Sequence, residues 1–138
     1  LKLFVDTWGW LALADRNDAK HGPAADCYRE RSRLSRHVVT SNFVLDELFT
    51  LVFLRLPFPE AAKFANAILA SRAVTTEMVT RERFRTAMEF RLKFADKPKI
   101  SFTDLTSMVI MKELGISEVL TADSHFAQVG MGFHILPE

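Results

Sequence analysis

With 138 residues, 49% of them hydrophobic and 25% charged, the chain has the size of one globular domain and apolar material enough for a core without cross-links. Its single cysteine, Cys27, excludes an intrachain disulfide and points to packing material in a reducing compartment. The net charge of +1 argues neither for nor against nucleic acid, so any grip on phosphate has to come from two local clusters, Arg29, Arg31, Arg33 and Arg36, and Arg81, Arg83, Arg85, Arg91 and Lys93, each of which also reads as a solvated helix face.

Leu3-Phe4-Val5 reads as a buried strand, followed at once by Asp6-Thr7 and an apolar helical turn through Leu13. After a polar loop over 15–18, a helix is expected from Pro23 to Leu34, with proline near its start. His37-Val38-Val39-Thr40 is the second strand. Ser41 and Asn42 are both good caps for a helix that runs to Leu56, before Pro57. Another helix is expected from Pro59 to Leu69, and a short strand within 73–79 despite Glu77. Thr80 can cap a helix ending near Phe94, and Asp96-Lys97-Pro98 is loop. Ser101 opens a helix that ends at Leu114, with Gly115 as its left-handed terminator. Glu118–Thr121 and Phe133–Leu136 are the last strands. The opening run is too short for a signal peptide, and the most apolar stretch, Phe43 to Phe58, carries Asp46, Glu47, Arg55 and Pro57, so no membrane span and a cytoplasmic location are expected. Strands alternating with helices imply right-handed crossovers and a mainly parallel sheet covered on both faces: one α/β domain over 1–138.

Four acids stand out against this layout. Asp6 follows the first strand, Asp123 follows the strand at 118–121, Glu47 lies in the first turns after the second strand, and Asp104 sits near the start of its helix. In an open parallel sheet, strand carboxyl ends and the helix starts after them share one edge, where ligands bind. Taken singly, Asp6, Asp104 and Asp123 could simply cap the segments they precede, and Glu47 suits the positive end of a helix dipole. Capping does not account for the set, because Glu47 lies more than a turn inside its helix. Hard divalent cations such as Mg²⁺ and Mn²⁺ take oxygen ligands from carboxylates, polarise a phosphoryl oxygen and lower the pKa of a bound water.

Phe4-Val5-Asp6-Thr7, Thr40-Ser41-Asn42-Phe43-Val44-Leu45-Asp46-Glu47, Ser101-Phe102-Thr103-Asp104 and Leu120-Thr121-Ala122-Asp123-Ser124-His125-Phe126 resemble, in order, the four acidic motifs of PIN domains. The ordered set spans nearly the whole chain and is most similar to toxins of the VapC type. That resemblance implies a three-layer α/β/α fold and a metal-dependent endoribonuclease with Asp6, Glu47, Asp104 and Asp123 as catalytic and metal-holding residues. It further implies Mg²⁺ or Mn²⁺ as cofactor, RNA as substrate and an antitoxin as protein partner. Thr7, Ser41 and Thr103 fall where hydroxyls could support water at the cations, or could equally be caps. A housekeeping PIN nuclease and a non-catalytic PIN-like binding module are the alternatives, the second weakened by the intact acidic set. A receiver domain lacks its acidic pair after strand one, and a haloacid-dehalogenase-like phosphatase would want an acid where Trp8 stands.

Other features are weaker. His21, His37, His125 and His134 have no metal-binding spacing and are expected to be structural or on the surface. Trp8 and Trp10 favour core packing over stacking on a base. The helix from Phe43 to Leu56 is apolar nearly all round, which makes it either internal or covered by a dimer mate or antitoxin.

Overall fold

The computed structural model describes residues 2–35 and 37–138; Leu1 and Arg36, the last member of the first basic cluster, lie outside the described residues. Leu3–Val5 form β1, and all three side chains are buried. Successive side chains of a strand point to opposite faces, so this burial requires cover on both sides. β1 is the middle strand of a sheet ordered β3-β2-β1-β4-β5, where β2 is Val38–Ser41, β3 Val74–Glu77, β4 Glu118–Leu120 and β5 His134–Leu136. Every pairing is parallel: Leu3 lies opposite both Val38 and Glu118, Val38 opposite Val74, and Leu120 opposite Leu136. The sheet expected to be mainly parallel is parallel throughout, with the helices packed around it in the α/β/α manner.

The strand order sets the location of any site. From β1 the chain steps outward to β2 and β3, then returns past β1 to lay down β4 and β5 on its other side. Adjacent connections therefore diverge at the carboxyl ends of β1 and β4, the point where open α/β sheets leave a crevice. A close backbone approach tightens the junction. Gly9, in the first turn of α1 (Thr7–Ala14), lies so near β4 that a Cβ built on it would come 2.1 Å from the Leu120 carbonyl oxygen. Only glycine fits there without moving backbone.

The remaining helices are α2 (His21–Ser35), α3 (Asn42–Arg55), α4 (Phe58–Ala70), α5 (Arg81–Lys93), α6 (Phe102–Leu114) and α7 (His125–Gln128). Their starts follow the expected capping chemistry: the hydroxyls of Ser41, Thr80 and Ser101 accept from the backbone N–H groups of Val44, Arg83 and Asp104. Gly115, at φ 67°, ends α6. α2 starts two residues before Pro23, which still falls in its first turn. α7 is absent from the expected elements, because four residues carry no readable period. The acid in β3 has a local reason. Glu77 closes this exposed edge strand and pairs with Arg83 at 3.0 Å, and Arg83 also meets Glu113 at 3.3 Å.

Several of the basic residues prove to be structural. The Arg91 guanidinium donates to the carbonyls of Ile100, Phe94 and Lys97 at 2.6–2.8 Å and so pins the loop between α5 and α6. Arg31 pairs with Glu118 at 3.1 Å, and Arg29 with Asp26 at 3.4 Å on the surface. α3 is neither wholly internal nor wholly covered. Val44, Leu45, Leu48 and Val52 are buried, whereas Leu54 is 77% exposed and Phe53 40%. Phe58, at the start of α4, is exposed as well and its ring lies 5.2 Å from that of Phe53, so the corner between the two helices shows an apolar patch to solvent.

Candidate active site

Asp6 directly follows β1 and is buried. It caps α1: its Oδ1 accepts the Gly9 backbone N–H at 2.8 Å. Its other oxygen accepts the Thr121 hydroxyl at 2.6 Å. Thr121 directly follows β4, and its Oγ1 in turn accepts the backbone N–H of Asp123 at 3.0 Å. One hydroxyl thus ties the ends of the two strands across the switch point.

Asp104 lies in the first turn of α6, 6% exposed, behind the Ser101 cap. Asp123 is half-buried on the turn after β4, its Oδ1 accepting the His125 backbone N–H at 2.9 Å. His125 Nδ1 is 3.1 Å from Asp104 Oδ2 and 3.0 Å from Asp123 Oδ2. Asp104, Asp123 and His125 each present a donor atom, and these atoms all lie within 4.8 Å of one another. Glu47 is half-buried in the second turn of α3, and its charge is felt by Asp104. All four expected acids therefore converge electrostatically. Asp104 and Asp123 meet most closely, Asp6 joins Asp123 through Thr121, and Glu47 stands at the margin.

The electrostatics show what the cluster lacks. Burial pushes the Asp6 carboxyl up to about 8, and the charges of Asp104 and Asp123 add to this against hydrogen bonds from Thr121 and Gly9. Asp104 is raised too, first by burial and then by Asp123 and Glu47, with His125 opposing. Buried acids that repel one another hold protons as their only counterions until a cation arrives. An all-carboxylate set with one imidazole beside it is the donor chemistry that Mg²⁺ and Mn²⁺ accept, so the residues present fit such an ion.

Of the hydroxyls, Ser41 is buried and engaged in capping α3, Thr7 is buried in the first turn of α1, and Thr103 is half-buried beside Asp104. Two other residues of this cluster go unrecognised in the sequence. Thr121 bonds Asp6 although 115 residues separate them, and His125 lies against both Asp104 and Asp123. The sequence groups His125 with the other histidines as structural. His21 keeps that role, its Nδ1 2.8 Å from the Ala12 carbonyl, and His134 pairs with Glu138 at the surface. Trp10 is a core residue whose Nε1 donates to Thr40 at 3.0 Å, whereas Trp8 is 37% exposed with the Arg55 guanidinium 5.6 Å above its ring. An open groove of about 380 Å³ leads from Thr121 and Asp123 past Lys20 and Pro137, large enough to admit part of a nucleotide chain.

The comparisons with known proteins agree with this layout. The family model of the PIN domain matches residues 3–131. The chain is 36% identical over 128 residues to the 23S rRNA-specific endonuclease VapC20 from two strains of Mycobacterium tuberculosis, an alignment that covers 93% of this chain and 94% of the relative. The crystal structure of Mycobacterium tuberculosis VapC20, described as a sarcin-ricin loop cleaving toxin, superposes with a TM-score of 0.83 at 35% identity, covering 93% of this chain and 95% of the other. A parallel sheet with acids gathered at its switch point, matched over nearly its full length by these relatives, places the chain in the PIN-domain family.

Proposed function

We propose that this chain, acting as one domain over 1–138 in the cytoplasm, is an endoribonuclease toxin that cuts RNA phosphodiester bonds with Mg²⁺ or Mn²⁺ held by Asp6, Glu47, Asp104 and Asp123. The observation that carries this reading is the convergence of buried, mutually repelling carboxylates at the switch point, in a chain so similar to a ribosomal-RNA endonuclease. A bound divalent ion supplies positive charge that polarises the phosphoryl group and activates water. The protein's own part is positional. Asp6 is locked by Gly9 and Thr121, Asp123 by the His125 backbone, and Asp104 by the first turn of α6. The groove past Lys20 leaves room for an unpaired strand, the form in which RNA is mostly read.

VapC20's description as a sarcin-ricin loop cleaving toxin makes a hairpin of that ribosomal loop the first substrate to try, beside a mixed RNA pool. Cleavage is expected with Mg²⁺ or Mn²⁺ and not with chelator. Equal cleavage in chelator, traced to the protein itself, would overturn the metal reading, and intact RNA under all conditions would overturn the nuclease reading.

A protein partner belongs to the same proposal, either an antitoxin or a second copy of the chain. Leu54 and Phe58 leave the apolar corner of α3 and α4 open to solvent, the kind of patch that marks a contact surface. Among the described residues no helix is long and apolar enough to cross a membrane, so a membrane-spanning helix does not explain it. Replacing both Leu54 and Phe58 by Asp is expected to weaken binding of a co-expressed neighbouring antitoxin, or self-association, by roughly 30-fold or more, the scale of a hot-spot loss. RNA cleavage by the free protein should remain. Light scattering that shows a strict monomer, together with rescue of growth by the antitoxin that is equal for both proteins, would dismiss this surface.

A further inference from the structure

His125 makes contacts that the acidic site, as proposed above, leaves without a role. Its backbone N–H holds Asp123 Oδ1 at 2.9 Å, and its Nδ1 lies 3.0 Å from Asp123 Oδ2 and 3.1 Å from Asp104 Oδ2. One residue therefore engages three carboxylate oxygens on two acids brought by different elements, the turn after β4 and the start of α6. The ring itself is mostly shielded, with 21% of the side chain exposed. Its anchor is firm. The next residue, Phe126, is completely buried and meets Phe133 edge-on at 6.1 Å, so the four-residue α7 is fastened to the core. A surface histidine without a task would not be held in this way between two acids.

Two carboxylates left to themselves at this distance move apart, because nothing offsets their repulsion. A donor shared between them counters this by fixing both to one atom. We propose that His125 is the positioning residue of the cation site: an Nδ1–H shared by Asp104 and Asp123, with its backbone N–H on Asp123, sets the spacing of the two carboxylates that a divalent ion has to bridge. The proposal rests on the metal-dependent reading of the same acids. It defines the role of α7 as well, which plants Phe126 in the core so that the preceding imidazole faces Asp104. The tautomer is dictated by the contacts: the proton has to sit on Nδ1 for one ring nitrogen to donate to both acids.

Three substitutions separate this role from mere packing. In His125→Asn the side-chain amide nitrogen falls near the place of Nδ1, so a donor to both acids is kept. In His125→Gln the amide reaches instead toward the place of Nε2, and His125→Ala has no donor. Metal binding is read by titrating Mg²⁺ or Mn²⁺ against the melting temperature, and separately by kcat and KM for RNA at saturating metal. The Ala and Gln proteins are expected to bind metal about 10–100-fold more weakly, the usual cost of removing a group that orients metal ligands. The Asn protein should stay within a few-fold of the native one, and the loss at saturating metal should fall on kcat with KM little changed. Native-like metal affinity in His125→Ala, or an Asn protein no better than Ala, overturns the proposal and leaves the acidic site standing. A native protein indifferent to both metals overturns the site and the proposal together. Nitrogen coupling in the resonance spectrum of bound Mn²⁺, lost in His125→Ala, would also overturn it, since the imidazole would then be a ligand itself.

Discussion

Asp104→Asn is expected to lose RNA cleavage by a factor on the order of 10²–10³ or more, the loss seen when one group that stabilises transition-state charge is removed, while the fold stays intact. The amide has the shape of the carboxyl and keeps an acceptor, and the helix cap is untouched because Ser101, not Asp104, accepts the terminal N–H. What disappears is a charge in a buried spot, 6% exposed, where Asp123 and Glu47 also direct theirs. If that charge serves by holding a cation against the reacting phosphate, the loss falls on kcat and on metal affinity, not on the KM for RNA. If Asp104 served only the helix start, turnover would be close to normal. Steady-state kinetics with a defined hairpin, alongside circular dichroism of both proteins, separate the two. The companion Glu47→Gln should lose less, since Glu47 is half-buried at the margin of the cluster.

Much of this arrangement is legible in the residues, for physical reasons that can be named. The strands at 3–5, 38–41 and 118–120 are short apolar runs between helices whose starts carry Ser41, Thr80 and Ser101, and such local signals survive folding because they act within one turn. The acids can be placed on one edge because topology alone carries strand ends there. Thr121 and His125 are hidden for the opposite reason. Thr121 serves Asp6 only because β4 lies beside β1, a fact of strand order that no window of sequence holds. His125 depends on Asp104, 21 residues away on another helix, and sits on an α7 too short to show a period. An aspartate two residues before a histidine, just past a strand, is the one signal available, and it gains meaning only beside Asp104. The outer face of α3 is ambiguous in a different way. An all-round apolar helix reads the same whether buried or awaiting cover, and only burial separates Val44 and Leu48 from Leu54.

The metal-free protein should become less stable as pH rises from about 4 to about 8, and Asp6→Asn should remove most of that slope. Burial raises the folded carboxyl to about 8, whereas a carboxyl of an unfolded chain titrates near 4. Between these values the folded state keeps a proton that the unfolded state has released, and stability falls wherever the unfolded state binds fewer protons. Asp6's contribution is therefore full below about 4, declines through the window and is lost above about 8. Asp104, also raised by burial, acts in the same direction. Each tenfold displacement of a proton equilibrium is worth ~1.4 kcal/mol, so the native protein should lose on the order of a few kcal/mol across the window, or roughly 10 °C in melting temperature. Asparagine resembles the protonated acid and caps a helix equally well, so Asp6→Asn should match the native protein near pH 4 and exceed it near pH 9. Mg²⁺ or Mn²⁺ should reverse the trend in the native protein only. The ion binds the folded state and replaces the proton, so its stabilisation grows with pH, and protons are released on binding. Thermal melts of both proteins at pH 5 and pH 9, at fixed ionic strength with and without metal, test all of this at once. Were Asp6 no more than the cap of α1, the two proteins would melt alike at every pH and neither would respond to metal. That outcome would contradict the clustered-carboxylate reading even if the protein cut RNA.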